Sequence, residues 1–141
     1  MQFFYILISI IGLYKWKFDS VEKKELPIST YPIRHHIFLF LLGSIASYLL
    51  IASSSYVPFI NLPVLDAITT VILVIGTLLL IQRKLYSWIY LVVGDLIYIY
   101  IYGTLELWLL TAVMVLYSIL GTYGYVNWKK LFLQQTPDIS A

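Results

Sequence analysis

The sequence predicts an all-α integral membrane protein with five transmembrane helices. Hydrophobic residues make up 61% of its 141 positions and charged residues 11%, far from the composition of a soluble domain. The apolar runs are longer than barrel strands and lack strand alternation, and in lipid a helix satisfies its own backbone polar groups. IYIYIY at 97–102 alternates like a strand, but a lone strand cannot cross a bilayer, so it too is expected to be helical.

Five apolar segments follow in order: Gln2 to Tyr14, Ile37 to Val57, Val64 to Ile81, Ser87 to Tyr102 and Leu107 to Val126. Pro27 and Pro32 interrupt the first connection, Pro58, Asn61 and Pro63 the second, Arg83 and Lys84 the third, and Gly103 with Glu106 the fourth, all conventional breaks between helices. The first segment reaches only about 20 Å at ~1.5 Å per residue, short of a hydrocarbon core of roughly 30 Å. It has no basic residue ahead of it and no small-residue cleavage site, so it reads as the back end of a longer helix rather than a signal peptide.

Basic residues set the orientation, because cytoplasmic loops retain lysine and arginine. All nine fall in loop one (Lys15, Lys17, Lys23, Lys24, Arg34), loop three (Arg83, Lys84) and the tail (Lys129, Lys130). Five spans place these on one side, with the N-terminus outside and the C-terminus in the cytoplasm.

The first and last segments resemble each other. Aligning Gly12 with Gly124 also aligns Tyr5 with Tyr117, Trp16 with Trp128 and Lys17 with Lys129. Three spans separate the copies, so both helices cross in one direction, as in a parallel repeat. If the repeat unit is the last three helices, its first copy needs two more before residue 1. The chain is then expected to be the last five spans of a seven-span protein.

Several function classes are set aside. Cysteine is absent, which removes disulfides, thiolate metal sites and cysteine nucleophiles. His35 and His36 diverge by about 100° on a helix and are read as interfacial polar residues, not a metal pair. A net charge of +2 confined to loops gives no support to nucleic-acid binding. Phosphate loops, metal clusters and nucleophile sets have no match here, so neither an enzyme nor a cofactor is expected.

Asp95 is the exception that asks for a reason, since a carboxylate at bilayer depth costs on the order of 3 kcal/mol and normally faces a bundle interior or wet cavity. Trp88, Leu91, Asp95, Tyr98 and Tyr102 follow helical spacing and fall on one stripe. Aromatic faces beside one carboxylate suit a flat polar or cationic heterocycle. The plainer alternative is that Asp95 bonds a tyrosine or threonine hydroxyl of another helix and the tyrosines are interfacial. Asp66 is read as an N-terminal cap with dipole interaction, Glu106 similarly, and Gly43 with Ser47 and Gly121 with Gly124 as small residues for close packing.

From DAITTVILVIGTLLLIQRKLYSWIYLVVGDLIYIYIYG to YSILGTYGYVNWKK, with GLYKW near the start, the chain resembles the Pnu-type vitamin transporters, the PnuC family of nicotinamide riboside transporters. The basic pair before the SW dipeptide and the terminal GYxxW carry the resemblance in combination. It implies a SWEET-like 3+1+3 parallel-repeat fold, of which this chain covers about the last two thirds. Residues 1–17 would be the last helix of the first bundle, 18–36 a cytoplasmic loop, and 37–57 the linker helix. Residues 64–126 would form the second three-helix bundle, with helices 64–81, 87–102 and 107–126, and 127–141 a cytoplasmic tail. The family's substrate motif WxxWxxx[ND] matches Trp88 and Asp95, while Leu91 stands at the second tryptophan position.

The resemblance implies a facilitator in a prokaryotic cytoplasmic membrane that moves a vitamin or nucleoside, foremost nicotinamide riboside, with intracellular phosphorylation as the sink. Leu91 removes one stacking surface, which keeps thiamine, riboflavin and deoxynucleosides open as substrates. The expected substrate residues are Trp88, Asp95, Tyr98 and Tyr117. Partners are the lipid bilayer, the small-molecule cargo, a possible second copy of the chain and a possible separately encoded N-terminal half. A non-transporting scaffold or an incomplete gene product are the rival readings.

Overall fold

A computed structural model describes residues 6, 7, 10–12, 14, 27–54 and 63–135. Four helices fall in that range: α1 (Ile33–Ser54), α2 (Pro63–Ile81), α3 (Ser87–Thr104) and α4 (Trp108–Gln135). Each contains a stretch long and apolar enough to cross a membrane. The described residues between 6 and 14 are helical as well, and 97–102 is helix, as the lone-strand argument requires. The rest of the first segment, residues 15–26, the second connection from 55 to 62 and the tail from 136 lie outside the described residues.

Among the described residues each helix packs only on its neighbour in sequence: α1 on α2, α2 on α3, α3 on α4. Glycines set how closely they approach. A Cβ on Gly94 would lie 2.5 Å from Leu73 Cδ2 and 2.7 Å from its Cγ, and one on Gly76 would lie 3.0 Å from Leu91 Cδ2. The α2–α3 seam therefore depends on small residues, as expected where lipid removes the hydrophobic drive between helices. Gly43 faces Val71 and Ile75 across the α1–α2 seam, and Ser47 is buried there. Large apolar side chains such as Phe40, Leu109 and Tyr123 are exposed; in a bilayer that surface faces lipid.

Both described turns between helices end in the same way. After α2 the Arg83 amide donates to Leu80 O (3.0 Å) and the Lys84 amide to Leu79 O (3.0 Å). After α3 the Glu106 amide donates to Gly103 O (3.2 Å) and the Leu107 amide to Tyr102 O (2.9 Å). These are Schellman closures, with the left-handed position taken by Arg83 (φ 52) and Glu106 (φ 57) where glycine is usual. They satisfy helix-end carbonyls that lipid could not.

The turn at 82–86 is also where loop one attaches. Ser29 pairs with Lys84 in a parallel bridge; the Ser29 amide donates to Arg83 O and the Leu85 amide to Ser29 O. Lys84 Nζ donates to Ser29 Oγ at 2.8 Å and sits 3.9 Å from the Tyr31 ring centroid. The Tyr31 hydroxyl donates to Gln82 Oε1 at 2.6 Å, and the Ile28 amide to Gln135 Oε1 at 3.0 Å. Burial of Lys84 in this cluster lowers its pKa from the ordinary lysine value. The described end of loop one, loop three and the end of α4 thus meet at one end of the bundle. Gly12 rests on Ile81 beside the same turn.

Three expectations need correction. α1 starts at Ile33 rather than Ile37, so Arg34, His35 and His36 belong to the helix and not to the loop. α4 runs nine residues past the expected 126, because Trp128, Lys129 and Lys130 do not interrupt a helical backbone and nothing before Pro137 breaks it. Asp66 is no cap, though it stands where the helix dipole favours an acid: it lies in the first turn of α2, which begins at Pro63.

Gly94→Ala is expected to lower the thermal midpoint in detergent, at a cost of about 1–3 kcal/mol for overpacking the Leu73 contact. An unchanged midpoint would contradict the seam described. Because the chain contains no other cysteine, Ser29→Cys with Lys84→Cys should form an intramolecular disulfide on mild oxidation, as bridge-paired positions fall within the usual Cα range of roughly 4.4–6.8 Å.

Candidate functional site

Trp88, Leu91 and Asp95 of α3 meet Tyr117, Leu120 and Gly121 of α4 around a recess of about 240 Å³. The two helices can approach there because a Cβ on Gly121 would lie 2.8 Å from Val92 Cγ2. Asp95 is the ninth of the 18 residues of α3, so its Cα stands about 12 Å along the helix, near the middle of a membrane core. It is only 8% exposed, and among the described residues its carboxylate has no hydrogen-bond partner. Trp88 Nε1 is likewise buried with no partner. Buried polar groups are rarely left so, and their residues' place on one recess makes it the candidate binding site.

Three of the four residues singled out from the sequence therefore come together: Trp88, Asp95 and Tyr117. Tyr117 is half exposed at the mouth. Tyr98 is not among the lining residues. Its hydroxyl donates to Asp66 Oδ1 at 3.1 Å, lies 3.4 Å from Thr70 Oγ1, and its ring stacks on Tyr102 at 5.1 Å. The helical wheel explains the division. At about 100° per residue, Trp88 lies roughly 20° from Asp95 towards α4, whereas Leu91 and Tyr98 lie roughly 40° and 60° away on the α2 side. Leu91 straddles the two seams, lining the recess while packing on Gly76.

The plain alternative weighed for Asp95, a bond to tyrosine and threonine hydroxyls of a neighbouring helix, is what Asp66 does. Its partner is 32 positions away, which no local pattern shows; the only sequence signal is two pairs at helical spacing, Asp66 with Thr70 and Tyr98 with Tyr102.

A larger groove of about 510 Å³ runs between α1, α2 and α3 past Gly43, Ile72 and Val93, but its polar groups are hydroxyls alone, among them those of Ser47, Tyr48 and Tyr90. It offers volume without an orienting charge. The histidines part company as expected: His35 stacks on Tyr31 at 4.9 Å, and His36 packs between Tyr86 and Tyr90 with Nδ1 3.0 Å from the Tyr90 hydroxyl. Among the described residues no group of three or more His, Asp or Glu side chains could hold a metal ion.

The family model described as nicotinamide mononucleotide transporter matches residues 1–130. Among solved structures, the chain is similar to the crystal structure of the vitamin B3 transporter PnuC, with a TM-score of 0.72 and 21% identity over 94% of this chain and 60% of that one. At that identity the likeness is one of fold, and this chain spans 60% of the length of the solved one. No curated protein sequence matches.

Tyr98→Phe is expected to lower stability by about 0.5–1 kcal/mol, the usual size of a hydrogen bond between membrane helices. Adding Asp66→Ala to Tyr98→Phe should cost less than the sum of the two single changes in detergent unfolding; strict additivity would mean that the Asp66–Tyr98 contact contributes nothing.

Proposed function

The chain belongs to the nicotinamide mononucleotide transporter family, and on that basis we propose that it moves a vitamin or nucleoside across a prokaryotic cytoplasmic membrane, foremost nicotinamide riboside. The observation that carries this reading is Asp95, a buried carboxylate without a protein partner in an apolar span, beside an indole and a phenol in one recess. Trp88 supplies a stacking face for a planar ring. Asp95 accepts ribose hydroxyls or balances a cationic ring, and Tyr117 meets the cargo at the mouth. Tyr98 acts one step removed, tying α3 to α2 through Asp66. The aliphatic Leu91 widens the tolerance for the ring, which keeps thiamine, riboflavin and deoxynucleosides as alternatives within the same class.

In this reading α1 is the linker and α2, α3 and α4 are the second bundle of a 3+1+3 parallel repeat. The seating of Gly12 on Ile81 and of Gly124 on Trp88, at the two flanks of the 82–86 turn, supports equivalent positions for the first and last helices. The end where loops one and three meet faces the cytoplasm, in line with its basic residues. Rocking of one bundle against another would alternate access, and phosphorylation of the cargo inside would make the diffusion one-way.

The test is uptake of labelled nicotinamide riboside by cells or proteoliposomes. Asp95→Ala should abolish it while leaving membrane insertion intact; unchanged uptake would overturn the site. Asp95→Asn separates the two roles of the carboxylate. Retained uptake assigns it to hydroxyl recognition, and loss equal to that of alanine assigns it to charge.

A further inference from the structure

The GYxxW motif at 124–128 lines none of the recess, yet both its ends grip Trp88. A Cβ on Gly124 would lie 2.7–2.8 Å from Cη2, Cζ2 and Cζ3 of the Trp88 indole, so the benzene half of that ring occupies the space any other residue would fill. One turn further along α4, Trp128 meets Trp88 edge to face, with centroids 5.4 Å apart and planes at 89°. Nothing polar competes for control of the ring, because Trp88 Nε1 has no hydrogen-bond partner. The indole stands at the start of α3, where no side chain caps the helix. Its orientation is therefore set by shape and ring geometry on α4.

We propose that Trp128 is a positioning residue, with Gly124 as its floor: together they hold the Trp88 indole in the plane that a planar cargo ring stacks against. The inference rests on the transport reading and adds to it a residue that need not touch the cargo. On this reading, removing the Trp128 ring leaves Trp88 free to rotate about its side-chain bonds, and a side chain at position 124 displaces the ring from its seat on α4.

The experiment compares Trp128→Ala, Trp128→Phe, Gly124→Ala and Trp88→Ala in reconstituted full-length protein, with nicotinamide riboside as the cargo. Trp128→Ala is expected to raise KM about three- to tenfold, the range of an aromatic pair contact, with maximal rate little changed. Trp128→Phe, which keeps a ring edge, should restore most of the affinity, and Gly124→Ala should resemble Trp128→Ala. In the Trp88→Ala background, Trp128→Ala should add nothing further. Near-ultraviolet circular dichroism gives a readout independent of transport: the signal that Trp88→Phe removes should also be lost in Trp128→Ala. If Trp88→Ala leaves KM unchanged, the stacking reading itself fails. If Trp88→Ala raises KM but Trp128→Ala does not, or the dichroism of Trp88 survives without Trp128, the positioning role is overturned and the stacking reading stands.

Discussion

A carboxylate in the middle of an apolar helix must be compensated, and the rest of this molecule is arranged around how that is done. The described helices contain two acids and treat them differently. Asp66, in the first turn of α2, is answered within the protein by the Tyr98 hydroxyl, with Thr70 beside it. Asp95, at the middle of α3, is sheltered from water but given no partner among the described residues. Sheltering without satisfying is costly in lipid, and it makes sense where the compensating groups arrive with a ligand.

The placement of α3 makes the difference possible. It is flanked by α2 on one side and α4 on the other, and both seams close on glycines. The α2 seam is tight where Leu73 lies over Gly94, and its polar groups pair with each other. The α4 seam is tight where Gly121 meets Val92 and Gly124 meets Trp88, and Trp88, Asp95 and Gly121 line a recess within it. One helix thus presents a finished interface and an open one, separated by a small rotation about its axis. At the turn from α2 to α3, the bridge from loop one to Lys84 and the bond from Ile28 to Gln135 gather the ends of α1, α2, α3 and α4 into one polar face, consistent with a single membrane boundary.

Much of this was legible in the sequence, for identifiable reasons. Long apolar runs with proline and basic breaks fix α2 and α3 nearly to the residue, because lipid leaves the backbone few alternatives. The three- and four-residue spacing of Trp88, Leu91 and Asp95 placed them on one stripe, and the structure keeps them on one recess. Tyr98 shares the stripe by the same count but falls over its edge into the α2 seam, a division that depends on where the neighbours stand and not on spacing. The end of α4 was misjudged because Trp128 and the lysines signal a membrane boundary, whereas a helix ends only where its backbone is broken. The roles of Asp66 and Trp128 depend on partners 32 and 40 positions away, beyond any local periodicity.

The central claim is that cargo occupies the α3–α4 recess beside Asp95. The chain has no cysteine, so a single Leu120→Cys, on the recess wall but outside the proposed recognition groups, provides a clean reporter, with Ile119→Cys, which lines a separate groove, as its control. The measurement is the rate at which a small thiol reagent modifies each cysteine as nicotinamide riboside is added. Cargo in the recess should slow modification at 120, saturating with concentration, and leave 119 unchanged. Equal rates at 120 with and without the ligand, in protein that still takes it up, would place the cargo elsewhere.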